Sequence, residues 1–209
     1  MLLELLSLFS VGLLVGLSGA VIPGPLFAFT VLDTTKKGRV TGHFVIAGHM
    51  IWESIIIMII LFGFGWILEG NSGAFYLVGG AVLALMGANM VRRRASSEGI
   101  RMEKARLNSS VGGGIFYTAF NPTQPIWWAT AGLALLLLGL NSAGMAGVAV
   151  VTAGHWAADL AYYTSVSYAV HRYNRFLNPR QGQLTAALGV FLAALGLIFI
   201  AQGIGLVSI

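Results

Sequence analysis

The chain has 209 residues, of which 57% are hydrophobic and only 9% are charged. A soluble domain carries about 25% charged residues, so a water-soluble fold of this composition would leave much of its surface apolar. The chain contains no cysteine, which excludes disulfides, thiolate metal sites and cysteine nucleophiles. These values exclude an ordinary soluble protein and indicate an integral membrane protein that crosses the bilayer several times.

Six apolar stretches along the chain are each long enough to cross a membrane, because a spanning helix needs about 20 mostly apolar residues. Charged or turn-forming segments separate them, and the longest of these segments is the basic one from Arg92 to Arg106. The sequence therefore predicts an all-α integral membrane protein with six transmembrane helices. The six predicted spans cover residues 5–31, 41–68, 73–91, 112–140, 144–170 and 183–207.

The basic residues predict the orientation of the spans. All 12 lysines and arginines lie in the first, third and fifth of the intervening loops. Because cytoplasmic loops attract Lys and Arg, these three loops are expected to face the cytoplasm. Both termini are then expected to lie on the outer side of the cytoplasmic (inner) cell membrane. The net charge of +5 is spread over these loops without a basic stripe, which argues against a nucleic-acid partner.

The second and fifth predicted spans carry the same motif, in which Ala-Gly-His is followed by an acid four residues after the histidine. Ala47-Gly48-His49 precedes Glu53, and Ala153-Gly154-His155 precedes Asp159. Each motif lies in the middle helix of a three-helix half. The motif therefore indicates an internal repeat.

Because each half has three helices, an odd number, the second half enters the membrane from the opposite side. The predicted organisation is a first repeat at 1–92, a basic cytoplasmic loop at 93–111 and a second, inverted repeat at 112–209. Inverted repeats are typical of secondary transporters, whose binding sites lie between the repeats near the midplane of the bilayer.

Prolines interrupt the first and fourth predicted spans. The first contains Pro23-Gly24-Pro25, and the fourth contains Asn121-Pro122 followed by Gln124 and Pro125. A proline inside a helix removes a backbone hydrogen bond and clashes with the preceding turn. Both helices are predicted to break there, so that their free ends offer N–H groups to a carboxylate and C=O groups to a cation. The alternative is a plain packing kink.

The repeated motif places His49 and Glu53, and likewise His155 and Asp159, on one helix face at bilayer depth. A buried carboxylate there costs several kcal/mol unless it is paired or hydrated, so these residues are functional candidates. They favour proton coupling or contact with a substrate charge, since histidine titrates near neutral pH. Two alternatives stay open. Two imidazoles and two carboxylates suit a transition-metal ion, and intrahelical His–acid hydrogen bonds can simply lock the packing.

Tryptophans adjoin these motifs at Trp52, Trp127, Trp128 and Trp156, and the candidate cavity residues among them are Trp52, Trp128 and Trp156. They are predicted to line an amphipathic cavity or to stack on a cationic substrate. Ordinary packing or contact with lipid is the alternative interpretation for most of them.

The tetrapeptide Gly16-Leu17-Ser18-Gly19 fits the Gly-x-Ser-Gly motif of rhomboid-type intramembrane serine proteases, and His49 or His155 offers a base. In a chain with 28 glycines such a match is weak evidence. Rhomboids also place the serine on a later helix and the histidine after it. We therefore expect no catalytic residue, no enzyme activity and no cofactor.

Several of these segments together carry a resemblance to a known family: Pro23-Gly24-Pro25, Gly38-Arg39, the stretch from Tyr76 to Gly87, Asn121-Pro122 and Asp159. Through them the chain resembles the LysE superfamily, exporters named for lysine efflux that include the homoserine- and threonine-exporting (RhtB-type) branch. The resemblance spans nearly the whole chain. The chain differs from the Asn-Pro-Lys motif that is usual in amino-acid exporters, because Thr123 and not lysine follows Asn121-Pro122.

The resemblance implies a transporter that exports amino acids or their derivatives by alternating access, driven by the proton gradient or the membrane potential. Its expected partners are a small amino-acid substrate, the lipid bilayer and an ion gradient, and the chain is compatible with a homo-oligomer. Metal-exporting relatives exist in the same superfamily. The alternative function is therefore export of a divalent metal cation, with His49, Glu53, His155 and Asp159 as ligands.

Overall fold

The computed structural model describes residues 2–64, 72–95 and 109–207, and the regular elements in those ranges are all helical. Leu3, Leu85 and Leu206 are 83%, 72% and 74% exposed, and many other large apolar side chains also face outward. A surface this apolar suits contact with lipid rather than water. The helices are α1 (Leu2–Ala20), α2 (Pro25–Lys37), α3 (Thr41–Ile59), α4 (Ser72–Ala95), α5 (Ser110–Ala119), α6 (Thr123–Trp127), α7 (Leu133–Arg172), α8 (Asn174–Leu177) and α9 (Gln181–Gly203).

The first predicted span is interrupted at Pro23-Gly24-Pro25. Helix α1 ends at Ala20, and α2 begins at Pro25 after an extended Gly24. Pro25 occupies the first helical position, where its missing N–H removes no helical hydrogen bond. The break therefore leaves the C-terminus of one helix and the N-terminus of the next only a few residues apart.

Helix α2 extends further along the chain than the first predicted span, which stops at residue 31. Asp33, Lys36 and Lys37 lie on this helix rather than in the predicted loop, and the helix ends where Gly38 takes a φ of 90°. The short apolar stretch had indicated an earlier end. Tertiary contacts of the polar side chains stabilise the additional turns.

Those contacts tie the C-terminal end of α2 to two other helices. Ser110, at the start of α5, donates its hydroxyl to Asp33 Oδ2 at 2.7 Å, and Lys37 Nζ lies 3.0 Å from Asp33 Oδ1. The hydroxyls of Thr34 and Ser167, the latter on α7, are 2.9 Å apart. A row of small polar contacts therefore packs this end of α2 against α5 and α7.

The fourth predicted span is interrupted in the same way, at Asn121-Pro122. Helix α5 ends at Ala119 and α6 begins at Thr123, where Asn121 Oδ1 accepts hydrogen bonds from the backbone N–H and the hydroxyl of Thr123, at 3.3 and 2.9 Å. A π-helical segment, Trp128–Gly132, then joins α6 to α7.

Helix α7 contains a reversal of the chain. Ala143 and Gly144 have non-helical backbones, with φ of −141° and 59°. The positive φ of Gly144 is a conformation that a side chain disfavours. The arms 133–142 and 145–172 lie side by side, since a methyl group on Gly139 would be 2.7 Å from the carbonyl carbon of Gly147.

Within the described ranges, five helical segments are long and apolar enough to cross a membrane. One of them, Thr123–Arg172, has 50 residues. As a straight helix it would be about 75 Å long, more than twice the thickness of a bilayer core, and it contains the reversal at Gly144. The sequence predicts six spans, whereas the structure gives five candidates, because most of the fourth predicted span and all of the fifth lie in the single segment Thr123–Arg172.

Three helix pairs form the body of the molecule: α1 with the second arm of α7, α3 with α5, and α4 with α9. The glycine of each repeated motif permits one of these contacts. A methyl group on Gly48 would lie 2.9 Å from the backbone nitrogen of Ile115 on α5, and one on Gly154 would lie 3.0 Å from that of Leu13 on α1. The two motif glycines thus have the same packing role, each against a helix that precedes a break.

Two predicted segments lie outside the described residues. The first is the Glu69-Gly70-Asn71 turn after the second span. The second is the part of the basic loop (93–111) that runs from residue 96 to residue 108.

Candidate functional site

Two helices bring the four polar residues of the repeated motif to one point. His49 and Glu53 lie one turn apart on α3, and His155 and Asp159 lie one turn apart on the second arm of α7. Their side chains are buried, with 6%, 1%, 4% and 4% exposed. One ligand atom from each lies within 4.8 Å of the others. We call these four residues the quartet.

Each histidine of the quartet contacts both acids. His49 Nε2 lies 3.2 Å from Glu53 Oε1 and 3.5 Å from Asp159 Oδ2. His155 Nε2 lies 3.3 Å from Glu53 Oε1 and 3.3 Å from Asp159 Oδ2. The quartet therefore joins α3 to α7, with unlike groups alternating around it.

Glu53 is held by three further donors. Its Oε1 accepts hydrogen bonds from Gln124 Nε2 at 2.6 Å and Trp128 Nε1 at 2.9 Å, and its Oε2 accepts one from Trp156 Nε1 at 2.8 Å. These bonds offset part of the cost of burying a carboxylate and fix its orientation. Glu53 is thus a rigid member of the quartet.

His49 is oriented by Thr118, the last buried residue of α5. The Thr118 hydroxyl donates to the carbonyl of Gly114 at 2.7 Å, and its Oγ1 lies 3.0 Å from His49 Nδ1. A hydroxyl has one proton to donate, so Thr118 accepts the Nδ1–H of His49. In the neutral ring, Nε2 is then the atom with a free electron pair, and it points into the quartet.

His155 is held by aromatic contacts. Its ring stacks on Trp127 with centroids 4.8 Å apart, and it meets Trp128 edge-on at 5.4 Å. On the other side, α1 passes so close that a methyl group on Gly16 would lie 2.7 Å from His155 Nδ1. The ring is therefore confined between the second break and the end of α1.

A cavity of about 370 Å³ opens beside the quartet. All four quartet residues border it, and so do residues of both helix breaks. Leu195 and Phe199 of α9 and Ile126 of α6 form an apolar part of its wall. The residues from the breaks are Gly19, Ala20, Ile22, Pro23, Gly24, Pro25, Asn121, Thr123 and Gln124.

Helix ends of opposite polarity face this cavity. The C-terminus of α1, at Ala20, and the N-terminus of α2, at Pro25, both border it, and no side chain within the described part of the molecule caps the latter. A helix C-terminus carries a partial negative charge and an N-terminus a partial positive charge. One cavity can therefore receive a cationic group and an anionic group.

The remaining candidates from the sequence take different positions. Trp128 and Trp156 donate to Glu53, whereas Trp52 packs against an apolar cluster that includes Ile56 and Trp128. Pro122 is the N-cap of α6. Ser18, the serine of the protease-like tetrapeptide, donates its hydroxyl to the carbonyl of Val15 at 2.7 Å.

Thr118 and Tyr163 are site residues that were not among the candidates from the sequence. Thr118 positions His49, and the buried Tyr163 borders the cavity beside Asp159. Each lies four residues from a candidate, since Thr118 precedes Pro122 and Tyr163 follows Asp159. For Tyr163, which shares a helix with Asp159, helical spacing was the available signal, because residues four apart share a face. For Thr118 that signal was absent, because the helix ends between Thr118 and Pro122.

Comparison with known proteins identifies the family of this chain. The family model described as LysE type translocator matches residues 17–203, which include both breaks and the quartet. Neither the curated proteins nor the solved structures gave a match. Because the family model covers most of the chain, and the described helices are apolar and long enough to cross a bilayer, the protein is a multi-pass membrane transporter for a small solute. The chain belongs to the LysE type translocator family.

Proposed function

We propose that this translocator exports an amino acid or an amino-acid derivative from the cytoplasm, driven by the proton gradient or the membrane potential. The observation that carries the proposal is that one cavity is bordered by both helix breaks and by the quartet. Its volume of about 370 Å³ lies in the range of small-molecule sites. The family supports movement of a small solute, and the paired helix ends support one with two opposite charges.

The substrate's two charged groups would bind at two neighbouring helix ends of opposite polarity that border the cavity. The uncapped N-terminus of α2, after Pro23-Gly24-Pro25, suits the carboxylate, because backbone N–H groups and the helix dipole attract anions. The ammonium would bind at the C-terminus of α1 and at Asp159, which borders the cavity. Asn121, Pro122 and Gln124 would close the opposite side.

The apolar wall supports a substrate with an uncharged side chain. Leu195, Phe199 and Ile126 border the cavity, and none of them offers a partner for a third charge. Burying an unpaired charge there would cost several kcal/mol. We therefore expect neutral amino acids to be preferred over lysine or arginine.

The proposed topology has six spans in two inverted repeats, with both termini outside the cytoplasmic membrane. The equivalent packing of Gly48 on α5 and Gly154 on α1 supports the repeat, since each half pairs its motif helix with the other half's broken helix. The reversal at Gly144 supports counting Thr123–Arg172 as two crossings.

Alternating access would then require α2 to move against α5 and α7. The contacts at its C-terminal end, Asp33 with Ser110 and Thr34 with Ser167, are single hydrogen bonds. The bond between the two hydroxyls contributes about 0.5–1.5 kcal/mol net and the bond to the Asp33 carboxylate about 1.5–3 kcal/mol, so the row can break and reform during transport. We therefore propose that this structure represents a state in which the C-terminal end of α2, which carries Lys37, is closed against α5 and α7.

The test is flux of labelled amino acids into inside-out proteoliposomes, with and without a pH gradient. We expect gradient-driven uptake of neutral amino acids by the wild-type protein and its loss in Asp159→Asn, which keeps the shape of the side chain and removes its charge. The matched control is Glu4→Gln, because Glu4 is an exposed acid at the start of α1.

Two results would count against the proposal. Wild-type flux in Asp159→Asn would show that this residue is not required. Absence of amino-acid uptake in all vesicles would show that the substrate class is wrong. A divalent-metal panel run in parallel covers the alternative, in which the cargo is a metal cation.

A further inference from the structure

We propose that the quartet is a binding site for one divalent transition-metal ion of the Zn²⁺ type, with one ligand atom from each of its four residues. This goes beyond amino-acid export, because it concerns an ion bound inside the quartet and not the solute in the adjoining cavity.

The separations between the ligand atoms carry the proposal. Zn²⁺ binds nitrogen and oxygen at about 2.0–2.2 Å in a tetrahedron, which places neighbouring ligand atoms about 3.3–3.6 Å apart. In the quartet, the four measured separations among His49 Nε2, Glu53 Oε1, His155 Nε2 and Asp159 Oδ2 are 3.2, 3.5, 3.3 and 3.3 Å. Four of the six separations therefore match a tetrahedral metal site, and one ligand atom of each residue lies within 4.8 Å of the others.

The same separations exclude an ammonium group from the centre of the quartet. An ammonium nitrogen lies about 2.8 Å from each acceptor, which would require acceptors about 4.6 Å apart. The measured values are more than 1 Å shorter. An ammonium can approach Asp159 only from the cavity, and the interior of the quartet suits a smaller cation.

The donor set matches a divalent transition metal in charge and in type. Two carboxylates balance the charge of the ion, and two imidazoles suit Zn²⁺ or its neighbours rather than Mg²⁺ or Ca²⁺, which prefer oxygen ligands. Of the atoms that face the centre, His49 Nε2 and Asp159 Oδ2 are buried and lie within 3.5 Å of unlike groups of the quartet, but none of these contacts among the described residues has the geometry of a hydrogen bond. A metal ion would supply a partner to both.

Surrounding side chains support the ligands as expected for a metal site. Metal-binding histidines donate their second ring N–H to a neighbouring acceptor, and metal-binding carboxylates accept additional hydrogen bonds. His49 donates Nδ1–H to Thr118, and Glu53 accepts from Trp128 and Gln124. These partners orient the ligand atoms before any ion arrives.

The test is a binding measurement on the full-length protein purified in detergent and freed of metal by a chelator. Zn²⁺ titrated against a competing dye should bind at about one equivalent per chain and raise the melting temperature, whereas Mg²⁺ should do neither. Co²⁺ should give the intense visible absorption of a four-coordinate ion. Absence of Zn²⁺ binding would overturn the proposal and leave the quartet as proton-linked ion pairs.

Variants then assign the site. His49→Ala/His155→Ala should abolish Zn²⁺ binding, and His43→Ala/His171→Ala should retain it, because the control also removes two histidines but from exposed positions on the same two helices. If the double variant fails to fold, Asp159→Asn provides the test. It keeps the volume of the side chain and should weaken Zn²⁺ binding at least tenfold. Binding that survives in His49→Ala/His155→Ala would overturn the proposal.

The outcome is separable from that of the transport test. If the protein transports amino acids and binds no Zn²⁺, the proposed function stands and the proposed metal site is wrong. If it binds Zn²⁺ and transports no amino acid, the metal site stands and the proposed substrate is wrong.

Discussion

The side chain of Thr118 lies 3.0 Å from Nδ1 of His49 and connects the helix before the second break to the motif helix of the first half. Because its proton is donated to the Gly114 carbonyl, Thr118 can only accept from the ring. This one contact decides which nitrogen of His49 faces the quartet with a free electron pair.

Replacing Thr118 by Val should therefore lower the affinity for Zn²⁺ about tenfold, as the loss of an outer partner does at other metal sites. Thr118→Ser keeps the hydroxyl and should keep the affinity. The measurement is the dye-competition titration. A suitable control is Thr152→Val, which removes a buried hydroxyl that has no hydrogen-bond partner in the described part of the chain. Equal affinities in Thr118→Val and wild type would show that Thr118 does not position the ring.

Helical spacing in the sequence was enough to pair residues on one helix. His49 with Glu53 and His155 with Asp159 follow from a separation of four, and their atoms indeed lie 3.2 and 3.3 Å apart. The proline motifs likewise coincide with the ends of α1 and α5. These features depend only on backbone geometry.

Contacts between helices could not be derived in this way. That Trp128 and Gln124 donate to Glu53 depends on how α3 is rotated and shifted against the second break. The register there is set by close packing at Gly48, which no pattern along a single helix encodes. For the same reason, the extension of α2 through Asp33 required its tertiary partner Ser110.

Gly16→Ala should displace His155 and reduce transport strongly. The added methyl group would lie 2.7 Å from His155 Nδ1 and 2.9 Å from its Cα, so α1 must move away from α7. Overpacking of this kind costs about 1–3 kcal/mol, and we expect a lower melting temperature in detergent together with lower flux.

The matched control for Gly16 is Gly73→Ala on α4, where the nearest atom to the new methyl would be 3.5 Å away, an ordinary contact. Its flux and melting temperature should equal those of the wild type. A Gly16→Ala protein with wild-type flux would show that the position of His155 is not critical for transport.

Glu53→Gln should destabilise the protein. The amide N–H groups would face Trp128 or Trp156, which can only donate, or would force Gln124 to turn its amide oxygen inward, and the histidines would have one anion fewer. Removing one member of a buried charged pair costs about 3–5 kcal/mol. Thermal unfolding in detergent is the measurement, with Glu4→Gln as the exposed control. Unchanged unfolding would indicate that the donors around Glu53 contribute little net stability.

The number of spans can be tested with single cysteines, because the chain contains none. Ser142, beside the reversal in α7, and Arg175, on α8, are both exposed. With six spans, Ser142→Cys in intact cells should react with a membrane-impermeant maleimide, and Arg175→Cys should react only after the membrane is permeabilised. The cysteine-free parent supplies the blank, and labelling in detergent verifies that both thiols are reactive. If Thr123–Arg172 crossed the bilayer only once, residue 142 would lie within the membrane and stay unlabelled in cells under both conditions.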